Sequence, residues 1–312
     1  MTSVIQIQNL RKSYGEVHAV AGIDLEVRRG EIFGILGPNG AGKTTAVECL
    51  AGLRDADSGT VHVLGIDPQR HPKKVREVLG VQLQESVLPA KITVAEAMRL
   101  YSSFYRDPAN AEELLHLLNL TQQRRTAYTA LSGGQKQRLS IALALIGNPK
   151  IAILDELTTG LDPQSRRDTW ELIEKIRDRG VTIVLVTHFM AEAERLCDRL
   201  VIIDGGHVVA EGSPSELIAG LDDRRTFRMS TAEPVDEQVL CDLADVDQVR
   251  TVGPEIEVTG SRRVLPAVLL ALAESDIVPE EIRTISRSLD DVFVDVTGRA
   301  MADTETYEEV AA

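Results

Sequence analysis

One loop constrains this chain more than any other part of its sequence. Residues 37–44 match the pattern G-x-x-x-x-G-K-[ST] in full, after an apolar run at residues 31–36 that predicts a buried strand. A predicted helix begins at Gly42 and Lys43 and continues through Leu50. A glycine-rich turn between a strand and a helix N-terminus points backbone N–H groups and a partial positive charge at phosphate oxygens. The sequence therefore predicts a phosphate-binding loop formed by Gly37, Pro38, Asn39, Gly40, Ala41, Gly42, Lys43, Thr44 and Thr45.

Two side chains of this loop and two carboxylates further along the chain form a candidate reaction centre. Lys43 would reach the β- and γ-phosphates, and the hydroxyl of Thr44 would ligate Mg²⁺. An apolar run at residues 151–154 delivers Asp155 at its carboxyl end, where ligands bind in open α/β sheets. Asp155 is therefore predicted to hold Mg²⁺ through its water shell, and the adjacent Glu156 to orient and deprotonate a water molecule.

A histidine follows the next apolar strand pattern. Residues 181–186 are apolar and rich in β-branched side chains, and Thr187 and His188 come directly after them. A single histidine is more often structural than functional, but a strand end beside Asp155 favours a functional role. His188 is predicted to donate a hydrogen bond to the γ-phosphate and to hold the attacking water.

A second segment also offers backbone N–H groups to phosphates. Residues 131–135 read Leu-Ser-Gly-Gly-Gln at the start of a predicted helix over residues 132–146, with Ser132 placed as its N-cap. The free N–H groups of this helix end and the Ser132 hydroxyl could bind phosphate oxygens. A chain with two such elements could hold two nucleotides, or one nucleotide between two chains, and both possibilities stay open at this point.

The order of elements predicts an α/β fold with a parallel sheet, followed by a small α+β domain. Strand patterns alternate with helices over residues 1–220, whereas residues 221–300 show short strands and two helices. Residues 221–312 carry 21 acidic and 9 basic side chains and no lysine, against 27 acidic and 25 basic in the first part. We expect a domain boundary near Gly220 and a flexible acidic tail over residues 301–312.

Composition argues against several classes of protein. No stretch reaches the roughly 18 to 20 consecutive apolar residues of a membrane span, and the N-terminus lacks the pattern of a signal peptide. The odd number of cysteines (Cys49, Cys197 and Cys241) and their lack of metal-ligand spacing indicate buried, reduced thiols. A net charge of −14 without a basic stripe argues against nucleic-acid binding. We expect a soluble, cytoplasmic protein.

These ordered motifs resemble those of the nucleotide-binding subunits of ATP-binding cassette (ABC) transporters, over about residues 3–218. The resemblance implies a P-loop NTPase cassette with a mixed-sheet core and a helical subdomain at about residues 88–148. It also implies an ATPase that uses ATP and Mg²⁺ and forms a homodimer, in which the loop of one chain meets the signature of the other. The signature residues are Ser132, Gly133, Gly134 and Gln135.

The same resemblance gives roles to further residues. Tyr14 matches the aromatic residue that stacks on adenine. Gln84 matches the glutamine that contacts Mg²⁺ and the water and that senses the membrane partner. Glu156 and His188 match the catalytic glutamate and the histidine at the γ-phosphate, and Asp162 matches the loop that crosses to the opposite subunit.

One position departs from the family pattern. Leu157 follows Glu156, where the family usually has proline. Proline would fix φ near −65° and remove an N–H donor. Leucine leaves the backbone less constrained here and adds a donor, while every chemical group that the reaction needs is present.

The last part of the chain indicates which group within the family it resembles. Residues 288–299 resemble the closing segment of drug-resistance and ABC-2-type export ATPases, and they also fit an amphipathic helix packed on the sheet of its own domain. The resemblance implies export of a drug, antibiotic or lipid-like compound through a separate integral-membrane permease, from the cytoplasmic face of the membrane. An importer ATPase, and a regulatory, translation or repair ABC protein, are the alternatives.

Overall fold

The computed structural model describes residues 2–83, 88–221, 224–233, 235, 237–285 and 287–298. Its strands are β1 (Ser3–Tyr14), β2 (Val17–Arg28), β3 (Ile32–Leu36), β4 (Ser58–Val63), β5 (Leu79–Gln82), β6 (Ile151–Asp155), β7 (Thr182–Thr187), β8 (Arg199–Asp204), β9 (His207–Gly212), β10 (Arg225–Thr231), β11 (Val246–Val252), β12 (Glu255–Gly260) and β13 (Pro279–Ile285). Its helices are α1 (Lys43–Leu50), α2 (Pro72–Arg76), α3 (Val94–Ser102), α4 (Ala111–Leu117), α5 (Gly133–Leu145), α6 (Pro163–Asp178), α7 (Met190–Leu196), α8 (Pro214–Gly220), α9 (Glu237–Cys241), α10 (Val264–Glu274) and α11 (Leu289–Thr297).

A six-stranded sheet brings the predicted site residues to one edge. Its order is β5-β6-β7-β3-β8-β9, and the strands are parallel except β9, which runs antiparallel to β8. β3, β6 and β7 are buried along their whole length, as apolar strands covered on both faces should be. Leu36 pairs with Thr187, and Asp155 pairs with Val186. The phosphate loop, Asp155 and His188 therefore leave the sheet at neighbouring strand ends.

A three-stranded antiparallel sheet, β2-β1-β4, shares a hydrophobic core with the six-stranded sheet. In its register Ile5 pairs with Val27 on one side and Val63 on the other. The same core contains Val47 of α1 and Ile35 of β3, both nearly inaccessible to solvent. This packing fixes α1, and with it the direction of the helix N-terminus that follows the phosphate loop.

The helices between β5 and β6 begin with side-chain caps. Thr93 and Glu96 form the capping box that the sequence predicts at the start of α3. Asn110 caps α4 by accepting from the N–H groups of Glu112 and Glu113. The helical pattern over residues 93–121 is divided between α3 and α4, which lie on either side of the predicted break near Pro108.

Contacts divide the chain into two compact units. The first contains the residues up to Leu217 together with those from Val292 onward, and the second contains Ile218–Asp291. The second unit contains the antiparallel sheet β11-β12-β10-β13, whose side chains share a core with those of α9 and α10. That core consists of Phe227, Met229, Leu240, Val258, Val264, Val268 and Leu272.

The predicted α/β class with a small additional α+β element is confirmed. The two units and the predicted domains do not have the same limits, so the domain boundaries near Gly220 and residue 300 stay a prediction. The predicted acidic tail, residues 301–312, lies outside the described residues. No helix in the described part of the chain is long and apolar enough to span a membrane.

Candidate functional site

The phosphate loop passes so close to neighbouring backbone that two of its positions require glycine. Gly37 has a φ of 148° and Gly42 a φ of 101°, in the region that favours glycine. A Cβ atom on Gly37 would lie 2.1 Å from the carbonyl oxygen of Ile203, and one on Gly42 would lie 2.0 Å from that of Ala19. The loop is therefore held between β8 and β2, and its path depends on both glycines.

Lys43 lies within this loop and is only 5% exposed. Its Nζ donates to the carbonyl oxygens of Gly37 at 2.7 Å and Pro38 at 3.0 Å. Burial lowers the pKa of Lys43, against the opposite effect of the Glu156 and Asp155 charges. Because an ammonium group has three N–H donors, this arrangement leaves one donor for a phosphate oxygen.

The other loop residues surround the N-terminus of α1. Gly42 occupies the N-cap position, so no capping side chain competes for the N–H groups of the first turn. These groups and the exposed Thr44 hydroxyl are available to a polyphosphate. The exposed or partly exposed loop residues are Pro38, Asn39, Gly40, Gly42, Thr44 and Thr45, and Ala41 is buried.

Asp155 ends β6 and is 1% exposed. Its N–H donates to Oε1 of Gln82 at 3.0 Å, and its Oδ2 has no hydrogen-bond partner among the described residues. Burial raises the pKa of Asp155 to about 6; the charge of Glu156 adds to this shift, and Lys43 opposes it. A buried carboxylate oxygen without a protein partner fits a cation, and the Thr44 hydroxyl adds an oxygen ligand of the kind that Mg²⁺ prefers.

Glu156 and His188 form a pair at the ends of β6 and β7. Oε1 of Glu156 lies 3.2 Å from Nδ1 of His188, and both side chains are largely buried. Glu156 adopts a φ of 49°, which is uncommon for a residue with a side chain, and its N–H donates to the carbonyl of Val186 at 2.9 Å. Backbone strain of this kind is typical of functional sites. The conformation aims the carboxylate at the histidine beside the phosphate loop.

The signature begins α5 and faces outward. Ser132 and Gln135 form a capping box, in which the Ser132 hydroxyl accepts from the Gln135 N–H at 3.3 Å and Gln135 Oε1 accepts from the Ser132 N–H at 3.0 Å. A Cβ atom on Gly133 would meet no atom of the described chain within 4 Å, and one on Gly134 would lie 3.6 Å from Oγ of Ser165. Within the described residues, no hydrogen bond or ion pair joins the signature to the phosphate loop of the same chain.

Asp162 serves as the N-cap of α6. Its carboxylate accepts from the N–H groups of Gln164 and Ser165 at 3.1 and 3.0 Å, and from the Ser165 hydroxyl at 2.6 Å. The hydrogen bonds from Ser165 lower the pKa of Asp162. Leu157, the departure from the family pattern, is 1% exposed, so its side chain is anchored in the core.

Tyr14 lies at the end of β1 with 41% of its surface exposed. The guanidinium carbon of Arg54 is 5.2 Å from its ring centroid, and Nζ of Lys12 is 5.8 Å away. An exposed aromatic face beside cations is suited to stacking on a nucleotide base. Gln84, the remaining predicted site residue, lies outside the described residues.

Two polar residues behind the site were not predicted from the sequence. Gln82, at the end of β5, binds the backbone of Asp155, and Glu192 of α7 is completely buried near Thr158 and Thr187. Gln82 could have been found by treating the short run at residues 79–82 as another strand with a polar end. Nothing in the sequence indicated that Glu192 is buried, because a glutamate on a short helix usually faces solvent.

Comparison with known proteins identifies relatives of this chain. The sequence profile described as ABC transporter matches residues 20–159. The Nod factor export ATP-binding protein I of Ralstonia nicotianae is 36% identical over 97% of this chain and 96% of its own length. The linearmycin resistance ATP-binding protein LnrL of Bacillus subtilis is 31% identical over 96% of this chain and 100% of its own length.

A solved structure is also similar to this chain. The dimeric structure of a bacterial ABC transporter cassette shares 29% identity and a TM-score of 0.60, over 67% of this chain and 98% of that one. The phosphate loop, the paired carboxylates, the strand-end histidine and the outward-facing signature all lie on a fold of this kind. The chain belongs to the ATP-binding cassette (ABC) transporter family and is one of its ATP-binding, ATP-hydrolysing subunits.

Proposed function

We propose that this ATPase drives export through a separate integral-membrane permease of the ABC-2 type. Relatives that align over nearly the whole chain, including the C-terminal α+β unit, are named for Nod factor export and for linearmycin resistance. A drug, an antibiotic or a lipid-like compound is the cargo class that these names favour. The subunit would work on the cytoplasmic face of the membrane, with the region around Gln84 contacting the permease.

The Glu156–His188 pair is the observation that carries the catalytic part of this proposal. Glu156 accepts the proton of a water that attacks the γ-phosphate. His188 lies within hydrogen-bond distance of Glu156 through Nδ1, and it would donate a ring N–H to a γ-phosphate oxygen. Lys43 balances the charge that develops on the β- and γ-phosphates. The adenine base stacks on Tyr14.

The residues that would hold Mg²⁺ are Thr44 and Asp155, joined by Gln84 on the basis of the family resemblance. The unpartnered Oδ2 of Asp155, within the described residues, supports this assignment. Bound there, the ion would neutralise phosphate charge and hold the phosphates in position. Its double charge would also favour ionised Asp155, which burial disfavours.

The active form that we propose is a homodimer with two composite sites. Ser132, Gly133, Gly134 and Gln135 of one chain would contact the ATP on the phosphate loop of the other. The open surface at Gly133 supports this, because nothing in the described chain requires a glycine there. Asp162 would lie on the loop between the subunits, and as the N-cap of α6 it fixes the end of that loop.

Glu156→Gln tests the catalytic assignment. The amide has the same shape but cannot accept the proton, so we expect ATP binding to persist, phosphate release to stop and an ATP-bound dimer to accumulate. Phosphate release and size-exclusion chromatography would measure these outcomes. Glu31→Gln is the matched control, because Glu31 is also buried but precedes β3, at the opposite edge of the sheet from the loop. Parental turnover by Glu156→Gln would overturn the assignment.

The direction of transport is tested with the candidate permease in membrane vesicles. We expect ATP-dependent accumulation of a labelled hydrophobic antibiotic in inverted vesicles that contain both proteins, and none with Glu156→Gln. Accumulation in right-side-out vesicles loaded with ATP would instead identify an importer. ATP hydrolysis without movement of the antibiotic in either orientation would reject this cargo class.

A further inference from the structure

The helices α5 and α6 begin close together, next to the two segments that we propose meet a partner subunit. α5 begins at the signature, and α6 begins at its N-cap, Asp162. A Cβ atom on Gly134 would lie 3.6 Å from Oγ of Ser165, and that hydroxyl donates to Oδ2 of Asp162 at 2.6 Å. The signature and the start of α6 therefore approach each other within one chain.

An ion pair joins the two helices about one turn further along. Nη2 of Arg138 donates to Oδ2 of Asp168 at 3.0 Å, and the two side chains are 20% and 42% exposed. Each is the sixth residue of its helix, so the pair lies equally far along the helix from both starts. We refer to the pair of Arg138 and Asp168 as the α5–α6 bridge.

The carboxylate of Asp168 also binds the first turn of its own helix. Its Oδ1 accepts from Nε2 of Gln164 at 2.8 Å, while its Oδ2 accepts from Arg138. The backbone N–H of Gln164 in turn donates to Oδ1 of Asp162 at 3.1 Å. A series of hydrogen bonds therefore connects Arg138 of α5 with the N-cap of α6.

The signature end of α5 has little support from the hydrophobic core. Every buried residue of α5 lies at position 139 or beyond, so none of its first six residues is buried. In α6, buried residues begin with Arg166, close to the start of the helix. The α5–α6 bridge thus ties the less buried end of α5 to a helix that is anchored near its own start.

We propose that Arg138 and Asp168 are positioning residues, which hold the signature at a fixed place relative to Asp162 so that both meet the partner subunit in one arrangement. This rests on the composite site proposed above. Neither side chain is assigned a contact with ATP or with the attacking water, because both act through the starts of α5 and α6.

Arg138→Met removes the bridge with little change in side-chain size. We expect kcat to fall about 10-fold, because the signature is misplaced, while ATP binding to the monomer stays parental. Tm should change little, since a partly exposed ion pair contributes little to stability. Arg195→Met is the matched control: it breaks the ion pair with Glu174, at 2.7 Å, which joins α7 to a later part of α6, and it should keep parental kcat. Parental kcat for Arg138→Met, or an equal loss in both variants, would overturn the proposal.

An exchange of charges tests whether the two residues act as a pair. Arg138→Asp and Asp168→Arg each place like charges together, so each should lower kcat more than Arg138→Met does. The double variant restores an opposite pair and should have a higher kcat than either single variant. A double variant in which the two losses add would mean that no bridge acts here. Should Arg138→Met not fold, Asp168→Asn, which keeps the shape and removes the charge, takes its place in every experiment.

Mixed dimers show in which site the bridge acts. Arg138→Met mixed with Lys43→Ala should hydrolyse ATP faster than either protein alone, because one site then combines an intact loop with an intact signature. Mixed with Ser132→Arg it should gain nothing, because every site then contains a defective signature. Gain with both partners, or with neither, would mean that Arg138 does not act through the signature. Lack of gain between Lys43→Ala and Ser132→Arg would instead reject the composite site itself.

Discussion

At the scale of single residues, Asp155 is placed where its charge is unfavourable. Burial raises its pKa to about 6, from an ordinary value of 3.8. Because the folded pKa is the higher one, the stability linked to this group is complete below about pH 4 and is lost as the pH rises through 6. The difference between 3.8 and a pKa of about 6 corresponds to about 3 kcal/mol. A bound cation would remove most of this penalty.

Asp155→Asn should therefore stabilise the metal-free protein at neutral pH. We expect its free energy of unfolding in EDTA to exceed that of the parent at pH 8 by up to about 3 kcal/mol, with a smaller difference at pH 5. Urea denaturation at both values measures this. The variant should also lose the stabilisation that Mg²⁺ and ATP together give the parent. Equal differences at both pH values would contradict the assigned pKa.

Tyr14 leads to a prediction about binding of the adenine base of ATP, and not of its phosphates. Tyr14→Ala should weaken ATP binding by about 1–3 kcal/mol, the usual contribution of base stacking on an aromatic ring. Binding of inorganic tripolyphosphate, which has no base, should not change. Tyr14→Phe keeps the ring and serves as the control. Equal loss for ATP and tripolyphosphate would show that Tyr14 supports the loop and does not stack on the base.

The sequence predicted where most of the proposed reactive groups lie, but not their conformations. Lys43, Asp155 and His188 follow from motif and strand-end position, because parallel strands bring their carboxyl ends together. The left-handed backbone of Glu156 has no signal in the sequence, since it depends on the hydrogen bond to Val186 in the neighbouring strand. Glu192 was missed for a related reason, because only tertiary packing makes it buried.

At the scale of elements, the helices and strands that were predicted best are those with clear start or stop signals in the sequence. The predicted helix over residues 43–50 and the strand over residues 151–154 match α1 and β6 to within one residue. β5 has only four residues and α2 only five, so neither contains enough repeats of its period to be recognised. β5 is the more serious omission, because it contributes Gln82 to the site.

The signature helix gives a prediction that separates folding from assembly. Gly133→Ala adds a methyl group that meets no atom of the described chain within 4 Å, and alanine favours a helix over glycine. We expect unchanged or slightly higher Tm and unchanged ATP binding to the monomer, but reduced hydrolysis if a partner's nucleotide approaches this backbone. Calorimetry, nucleotide binding and phosphate release measure the three quantities.

Gly42→Ala is the contrasting variant. Its Cβ would lie 2.0 Å from the Ala19 carbonyl oxygen, so both stability and ATP binding should fall. If Gly133→Ala instead retained parental hydrolysis, the signature would not approach a nucleotide closely. If it lowered Tm as Gly42→Ala should, it would act on the fold and not on assembly.

At the scale of the whole molecule, a site formed by two chains allows two inactive variants to complement each other, which a site within one chain does not allow. Glu156→Gln disables the site built on its own phosphate loop, whereas Ser132→Arg disables the site built on the partner's loop. A mixed dimer of the two variants combines both defects in one site and leaves the other intact. Two inactive proteins should therefore regain ATP hydrolysis when mixed before ATP is added.

The recovered rate should approach about a quarter of the parental rate, since about half of a two-fold symmetric mixture is heterodimer with one working site in two. Glu156→Gln mixed with Lys43→Ala is the control, because both changes affect the same chain's site and each heterodimer site then keeps one defect. Phosphate release across a range of mixing ratios should peak near equal amounts for the first pair and stay flat for the second. Recovery with neither pair would mean that each chain completes its own site, whereas recovery with both would mean that the variants are not confined to the sites assigned to them.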